Sequence, residues 1–379
     1  MTLSPREQKE KTKDKDGFGR NYLYSCVSSY LPSSYTRIEK IISERKIRIF
    51  ICTWNMNGQK PPSHLGYLLA PKISQNIVDL IVIGTQETYT CKGNKWVTFL
   101  QNIIGSSYIL SGKKRLGKLK LVLFLRRELV WFSSRPKADT VLSNKYTIFK
   151  TKGAISLAII IFGTSFLFIT THLAPHQDNS EKRVDQIERI IRSLDDPKKL
   201  LSRDRKDIVK NFDCVFLFGD LNFRINRPRE EVISWISKTH FPTENSRILE
   251  SDQLKEVLMS DTPTFKCFEE APIAFPPTYK YARGGQVLDS SSKHRVPSYT
   301  DRILYRSKNT NLKTKERDDV TYSQNGVIQS LKYDSAREIC SSDHKPVYGI
   351  YAVTVRSNLK VTQEPLVEAS DRSKSRRWF

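Results

Sequence analysis

Asn55, Glu87, His172, Asp220, Asn222, Asp301, Asp343 and His344 are the residues of this sequence best placed to do chemistry, because each stands at or near the end of an apolar run. The pattern is plainest in Val215-Phe216-Leu217-Phe218-Gly219-Asp220-Leu221-Asn222, an apolar strand followed by a carboxylate and an amide two residues apart. On an extended backbone alternate residues share a side, so Asp220 and Asn222 are expected to project together into a cleft, with Gly219 freeing the backbone before them. An ionised Asp orients or deprotonates a water. An Asn amide donates to a phosphate oxygen without adding negative charge. Singly, each group has a plain alternative: Glu87 a solvated carboxylate, His172 a satisfied core histidine, Asp301-Arg302 a local ion pair, Asp343 a turn cap. Jointly, oxygen ligands mixed with imidazoles at several strand ends describe a hydrolytic site. The oxygen-rich, sulfur-free donor set suits Mg²⁺ rather than Zn²⁺.

Strands must carry these groups to one rim. β-branched and apolar runs predict strands over 47–53, 77–83, 119–125, 299–305 and 347–355, and a hairpin of 154–161 with 166–170 around Gly163-Thr164. Helices are predicted over 96–104, 229–239 and 251–260. Another follows His172, with Asp178 and Glu181 at capping-box spacing and Val184, Ile187, Ile190, Ile191 and Leu194 as its apolar face. The Pro-rich 275–281 stretch is a poor central strand. Residues 1–44 read as a basic flexible segment, 45–357 as one catalytic domain and 358–379 as a polar basic tail.

Composition narrows the partners. The 379 residues are 38% hydrophobic and 27% charged, ample for a large α/β core. A net charge of +23 predicts an anionic partner, whether nucleic acid, an anionic membrane or a phosphorylated small molecule. The six cysteines form no Cys-x-x-Cys pair, and none is followed six residues later by Arg. Zinc, dithiol and cysteine-phosphatase chemistry are therefore not expected, and a reduced intracellular protein is. The N-terminus is too charged for a secretory signal, and no apolar stretch is long enough to span a bilayer. Membrane contact would be peripheral, with Lys113, Lys114, Arg115, Lys118 and Lys120 the leading candidates.

Taken together, Trp54-Asn55, Gly84-Thr85-Gln86-Glu87, Lys152-Gly153-Ala154, Thr171-His172-Leu173, Gly219-Asp220-Leu221-Asn222-Phe223-Arg224, Pro277-Thr278-Tyr279-Lys280, Pro297 to Leu304 and Ser342-Asp343-His344-Lys345-Pro346-Val347 resemble the inositol polyphosphate 5-phosphatase family over roughly residues 45–356. The stretches 162–170 and 297–307 resemble one subtype whose members end in a prenylation box. This chain ends Arg376-Arg377-Trp378-Phe379, so anchoring by that route is not expected. The resemblance implies a four-layer α/β/β/α sandwich of the DNase I-like class and Mg²⁺-dependent removal of the 5-phosphate from phosphoinositides. It implies Glu87 and Asn55 at the metal and Asp220 on the attacking water. Asn222 and His172 would bind phosphate oxygens, His344 would be oriented by Asp301, and Asp343 would support the metal side. Tyr279, Lys280, Lys293 and Arg295 would clamp a neighbouring 4-phosphate. The implied partners are phosphoinositide headgroups and an anionic membrane surface, with no nucleic acid expected; a monomer is assumed, and the expected location is cytoplasmic and peripheral at membranes, a cilium being implied by resemblance alone. A nuclease of the same fold, or a phosphoinositide-binding module without activity, are the rival readings.

Overall fold

In the computed structural model, residues 35–63, 65–66, 78–89, 95–142, 152–194, 211–243, 247–308 and 326–356 are described. Two six-stranded sheets face each other. The first contains β1 (Lys46–Asn55), β2 (Leu80–Gln86), β3 (Tyr108–Leu116), β4 (Leu119–Arg126), β11 (Ile328–Ser335) and β12 (Val347–Thr354), in the order β11-β12-β1-β2-β4-β3. The second contains β5 (Lys137–Leu142), β6 (Gly153–Ile161), β7 (Thr164–His172), β8 (Cys214–Asp220), β9 (Glu269–Glu270) and β10 (Asp301–Ser307), in the order β5-β6-β7-β8-β10-β9.

Strand periodicity sorts the apolar residues into layers. On β1, Ile47, Ile49 and Ile51 enter the core between the sheets, whereas Phe50, Cys52 and Trp54 face outward. On β8, Phe216 and Phe218 point between the sheets, and Val215 and Leu217 point away. Both faces are buried because helices cover them. Trp96 and Leu100 of α2 (Lys95–Ile104) join the outer layer on the first sheet. Ile187, Ile190 and Ile191 of α3 (Ser180–Ser193) join the outer layer on the second. The result is the expected four-layer α/β/β/α sandwich. The sheets pack through aromatic contacts such as Phe216 against Tyr351, with ring centroids 5.2 Å apart.

Some elements differ from the sequence expectation. Residues 35–44, expected within a flexible segment, form α1 (Tyr35–Glu44). Its Arg37 pairs with the fully buried Asp79, and Ile41 enters the central core. The Asp178–Glu181 capping box does not form. Asn179 is the N-cap of α3, without a side-chain cap bond, and its amide donates to Pro175 O. The stretches 229–239 and 251–260 hold α4 (Arg229–Lys238) and α6 (Gln253–Met259), with the short α5 (Arg247–Glu250) between. The basic run 113–120 lies on the β3–β4 hairpin, with β3 an edge strand. Residue 77 of the second predicted strand and the 358–379 tail lie outside the described residues.

Candidate active site

The alternation that fills the inter-sheet core also builds the site. Asn55 ends the column Ile49-Ile51-Thr53 on β1, His172 ends Phe166-Phe168-Thr170 on β7, and Asp220 ends Phe216-Phe218 on β8. Asp301 opens the column continued by Ile303 and Tyr305 on β10. Register brings them together: His172 is level with Asp220 on the parallel strand, and Asp301 is level with Asp220 on the antiparallel one. The rim is thus the polar end of the central core. Gly219 permits the close approach of β8 to β7, because a Cβ there would lie 2.0 Å from Thr171 O.

Asp220 is the centre of the polar network. Asn55 Nδ2 donates to its Oδ2 at 2.9 Å, His172 Nε2 lies 3.3 Å from the same oxygen, and the Asn222 amide N–H donates to Oδ1 at 3.1 Å. Burial pushes this carboxyl up, but the hydrogen bond and charge of His172, with His344 and Lys152, outweigh it and hold Asp220 well below the usual carboxylate range. Asp301 Oδ2 accepts from Thr278 Oγ1 at 2.9 Å and Thr300 Oγ1 at 2.8 Å, and lies 2.9 Å from His344 Nδ1. Burial works against the His344 imidazolium. The charge and hydrogen bond of Asp301, with Asp220 and Asp343, outweigh it and push the pKa up to about 9. The Tyr279 ring lies against both the His344 ring and the Arg224 guanidinium, each 4.5 Å from its centroid.

This shift has a testable consequence. A His pKa raised on folding adds stability that is complete below the unfolded value near 6.5 and is lost as pH climbs through about 9. The stability gap between the parent and His344→Gln is expected to close across that window. Denaturant midpoints from pH 6 to 10 check it, and a constant gap would contradict the assignment.

Asn222 reaches the site differently from the expected strand alternation. The strand ends at Asp220, and Asn222 sits at φ +58 with its N–H turned back onto Asp220. Its Nδ2 donates to Leu173 O at 3.2 Å, and Arg224 holds its Oδ1. Asp301 and Arg302 form no local ion pair: they face opposite sides of β10, and Arg302 binds Asp252 and Glu270. Asp343 stands beside the cluster, its recorded side-chain partner being Ser342 Oγ at 3.4 Å. Lys280 Nζ pairs with Asp289 Oδ2 at 3.0 Å, Arg295 lies 3.2 Å from His176 Nδ1, and Lys293 is exposed. Sequence reasoning quoted Lys152, Thr278, Thr300 and Arg224 in motifs without giving them a role. Burial and hydrogen bonding, which appear only in three dimensions, bring them into the site.

A cation has a place among these donors. Among the described residues, Glu87 Oε1 has two distant polar neighbours, Asn55 Nδ2 at 3.5 Å and His172 Nε2 at 4.0 Å, and its side chain is 41% exposed. Asn55 Oδ1 accepts one hydrogen bond, from Asn57 N at 2.9 Å, which leaves its second lone pair. These oxygens fit a hard divalent cation. Asp220, Asp301 and His344 also present ligand atoms within 4.8 Å of one another. That trio is a poorer metal site, because His344 is engaged with Asp301 and held in its protonated form, which offers no lone pair there.

Such a rim on such a sandwich defines a class, and the endonuclease/exonuclease/phosphatase family 2 profile matches residues 52–350, so this chain belongs to that family. Within it, the chain is 36% identical over 349 residues to the phosphatidylinositol polyphosphate 5-phosphatase type IV of Rattus norvegicus, covering 90% of this chain and 51% of that protein. It is 35% identical over 352 residues to the Homo sapiens protein of the same name, covering 91% and 52%. The chain spans about half the length of the curated relatives it matches. Among solved structures, the inositol polyphosphate 5-phosphatase domain of SpSynaptojanin in complex with inositol (1,4)-bisphosphate and calcium ion has a TM-score of 0.66 at 27% identity, covering 84% of this chain and 89% of that one. A Cimex nitrophorin ferrous NO complex shares the fold alone, with a TM-score of 0.61 at 20% identity, covering 82% and 99%. Function must therefore be argued from the rim residues rather than from the sandwich.

Proposed function

We propose that this chain is a Mg²⁺-dependent phosphoinositide 5-phosphatase, acting on headgroups such as the 4,5-bisphosphate and 3,4,5-trisphosphate by direct attack of water. The observation that carries it is the buried, anionic Asp220 ringed by Asn55, His172 and Asn222 and facing the open Glu87 carboxylate. The names of the similar proteins point to the same substrate class.

Glu87 and Asn55 would hold Mg²⁺, which supplies charge to the phosphate oxygens when bound. The remaining work falls to the chain. Asp220 orients the attacking water. Its depressed proton affinity makes it a weak base before bond formation, so it accepts the proton as the water becomes acidic in the transition state. His344, charged and fixed by Asp301, places a donor beside the phosphate as negative charge redistributes. His172 and Asn222, both held beside Asp220, would bind phosphate oxygens. An Asp220 aligned on the water and donors fixed before substrate arrives avoid reorganisation during reaction.

The test is phosphate release from a short-chain phosphoinositide with Mg²⁺ and with EDTA. Activity should vanish in chelator, and Glu87→Ala should lose at least ~10²-fold in kcat with the fold intact, since the side chain is not core volume. Full activity in EDTA would remove the cation from the reading. Plasmid cleavage in place of phosphate release would favour the nuclease alternative.

Selectivity for a 4-phosphate is assigned to Tyr279, Lys280, Lys293 and Arg295. Lys280 must then share its charge between Asp289 and the substrate. Lys280→Ala and Arg295→Ala should each weaken kcat/KM on 4-phosphorylated headgroups by about 1–3 kcal/mol and leave headgroups lacking it little changed. Equal losses on both substrate types would sink the clamp. For the anionic membrane partner, Thr88 N donates to Lys118 O at 2.9 Å, which places the tip of the basic hairpin beside Glu87. That proximity supports peripheral docking at the mouth of the site.

A further inference from the structure

Lys152 enters the rim at a position dictated by its neighbour. Gly153 is level with His172 on the paired strand, and a Cβ on Gly153 would lie 2.3 Å from Val141 O. Only glycine lets β6 run so close to β5, and this seats Lys152 one residue beyond His172. Its ammonium donates to Leu173 O at 2.7 Å and lies 3.0 Å from His172 Nε2. Leu173 O also accepts from Asn222 Nδ2 at 3.2 Å, so one carbonyl fixes two donor groups beside Asp220.

An ammonium has three protons and no lone pair. One goes to Leu173 O and a second lies within reach of His172 Nε2, and among the described residues no carboxylate forms an ion pair with Lys152. A largely buried cation without a direct counter-ion is costly. Burial lowers the Lys152 pKa, while the charges of Asp220 and Glu87 act against that shift from the cleft side. A structural lysine would be expected to carry an acidic partner in contact. This one instead has a spare donor at the place where an anion would arrive.

We propose, on the reading of the rim as a phosphatase site, that Lys152 is a phosphate-binding catalytic residue whose third N–H donates to a non-bridging oxygen of the transferred phosphate. It stays protonated and forms no covalent bond. Leu173 O and His172 serve to aim it. The same donors would bind the inorganic phosphate released as product.

The experiment compares the full chain with Lys152→Met and Lys152→Arg in Mg²⁺, reading three quantities: kcat on a short-chain phosphoinositide, affinity for inorganic phosphate by calorimetry, and melting temperature. Lys152→Met should lower kcat by about 10²-fold, as for loss of one aligned donor. It should weaken phosphate binding about 10-fold or more. Melting should be unchanged or raised, because a buried charge without a counter-ion is gone. Lys152→Arg should recover part of the phosphate affinity. Parental phosphate affinity in Lys152→Met, or no phosphate binding by the parent, would overturn the proposal, as would a lower melting temperature with affinity intact. If Lys152→Met does not fold, Lys152→Gln takes its place. A parent that binds phosphate through Lys152 but releases none from the lipid would overturn the phosphatase reading and leave the anion seat standing.

Discussion

Asp220→Asn is expected to lower kcat by about 10²–10⁴-fold while the protein still folds and binds its headgroup. The carboxylate presents acceptors on both sides, Oδ2 to Asn55 and His172 and Oδ1 to the Asn222 N–H. An amide has one acceptor oxygen. In either rotamer its NH₂ faces a donor, so the water-orienting geometry is lost along with the negative charge. Removal of that charge should preserve or tighten binding of an anionic headgroup, so KM should hold or fall. Steady-state kinetics with circular dichroism and a melting curve separate this from unfolding. A parental kcat in the variant would take Asp220 out of the mechanism.

Arg302→Leu is expected to destabilise the fold by about 3–5 kcal/mol, the scale for stripping one partner from a buried ionic cluster. Arg302 is 1% exposed. Its NH1 donates to Asp252 Oδ1 at 2.7 Å, and its Nε and NH2 donate to the two oxygens of Glu270 at 2.8 and 2.5 Å. Leucine leaves two buried carboxylates without their shared cation. Arg302→Lys should recover only part of the loss, because a point charge cannot serve both acids with the guanidinium's fork. Adding Asp252→Asn and Glu270→Gln to Arg302→Leu should restore part of the stability, since the stranded charges are then removed. Urea midpoints at pH 7 decide it; equal midpoints for parent and Arg302→Leu would show that the cluster contributes nothing. The preceding residue on the strand is Asp301, so the damage should also reach the site and lower kcat in whatever fraction remains folded.

The strands that carry the site were legible because they are buried on both faces. β1, β2, β4, β6, β7, β8 and β12 read as largely apolar runs, and their polar ends therefore stood out; β10 shows only a short apolar centre, Ile303-Leu304-Tyr305. The strands outside that reading, β3, β5, β9 and β11, lie outermost in their sheets and are largely solvated. β3 reads Tyr-Ile-Leu-Ser-Gly-Lys-Lys-Arg-Leu, and its pairing with β4 rather than its own composition makes it a strand. α1 was lost for a related reason: its anchor is Arg37 on Asp79, a contact to a residue 42 positions away.

By itself, then, the sequence determined which chemistry is present, because Asn55, Glu87, His172, Asp220, Asp301 and His344 are set at the ends of runs whose strand character is local. It also determined the core, since apolar alternation decides which residues face inward. Only the tertiary structure decided how those groups meet. Register put His172 and Asp301 level with Asp220, a turn rather than the pleat brought Asn222 back to it, and strand parity sent Arg302 to the far face. Lys152 and the Asp289 partner of Lys280 likewise emerged only there. The physical reason is that side-chain direction along a strand has a period of two and is readable from the chain, whereas hydrogen bonds between strands, and the charges they bury, depend on pairings that no local pattern specifies.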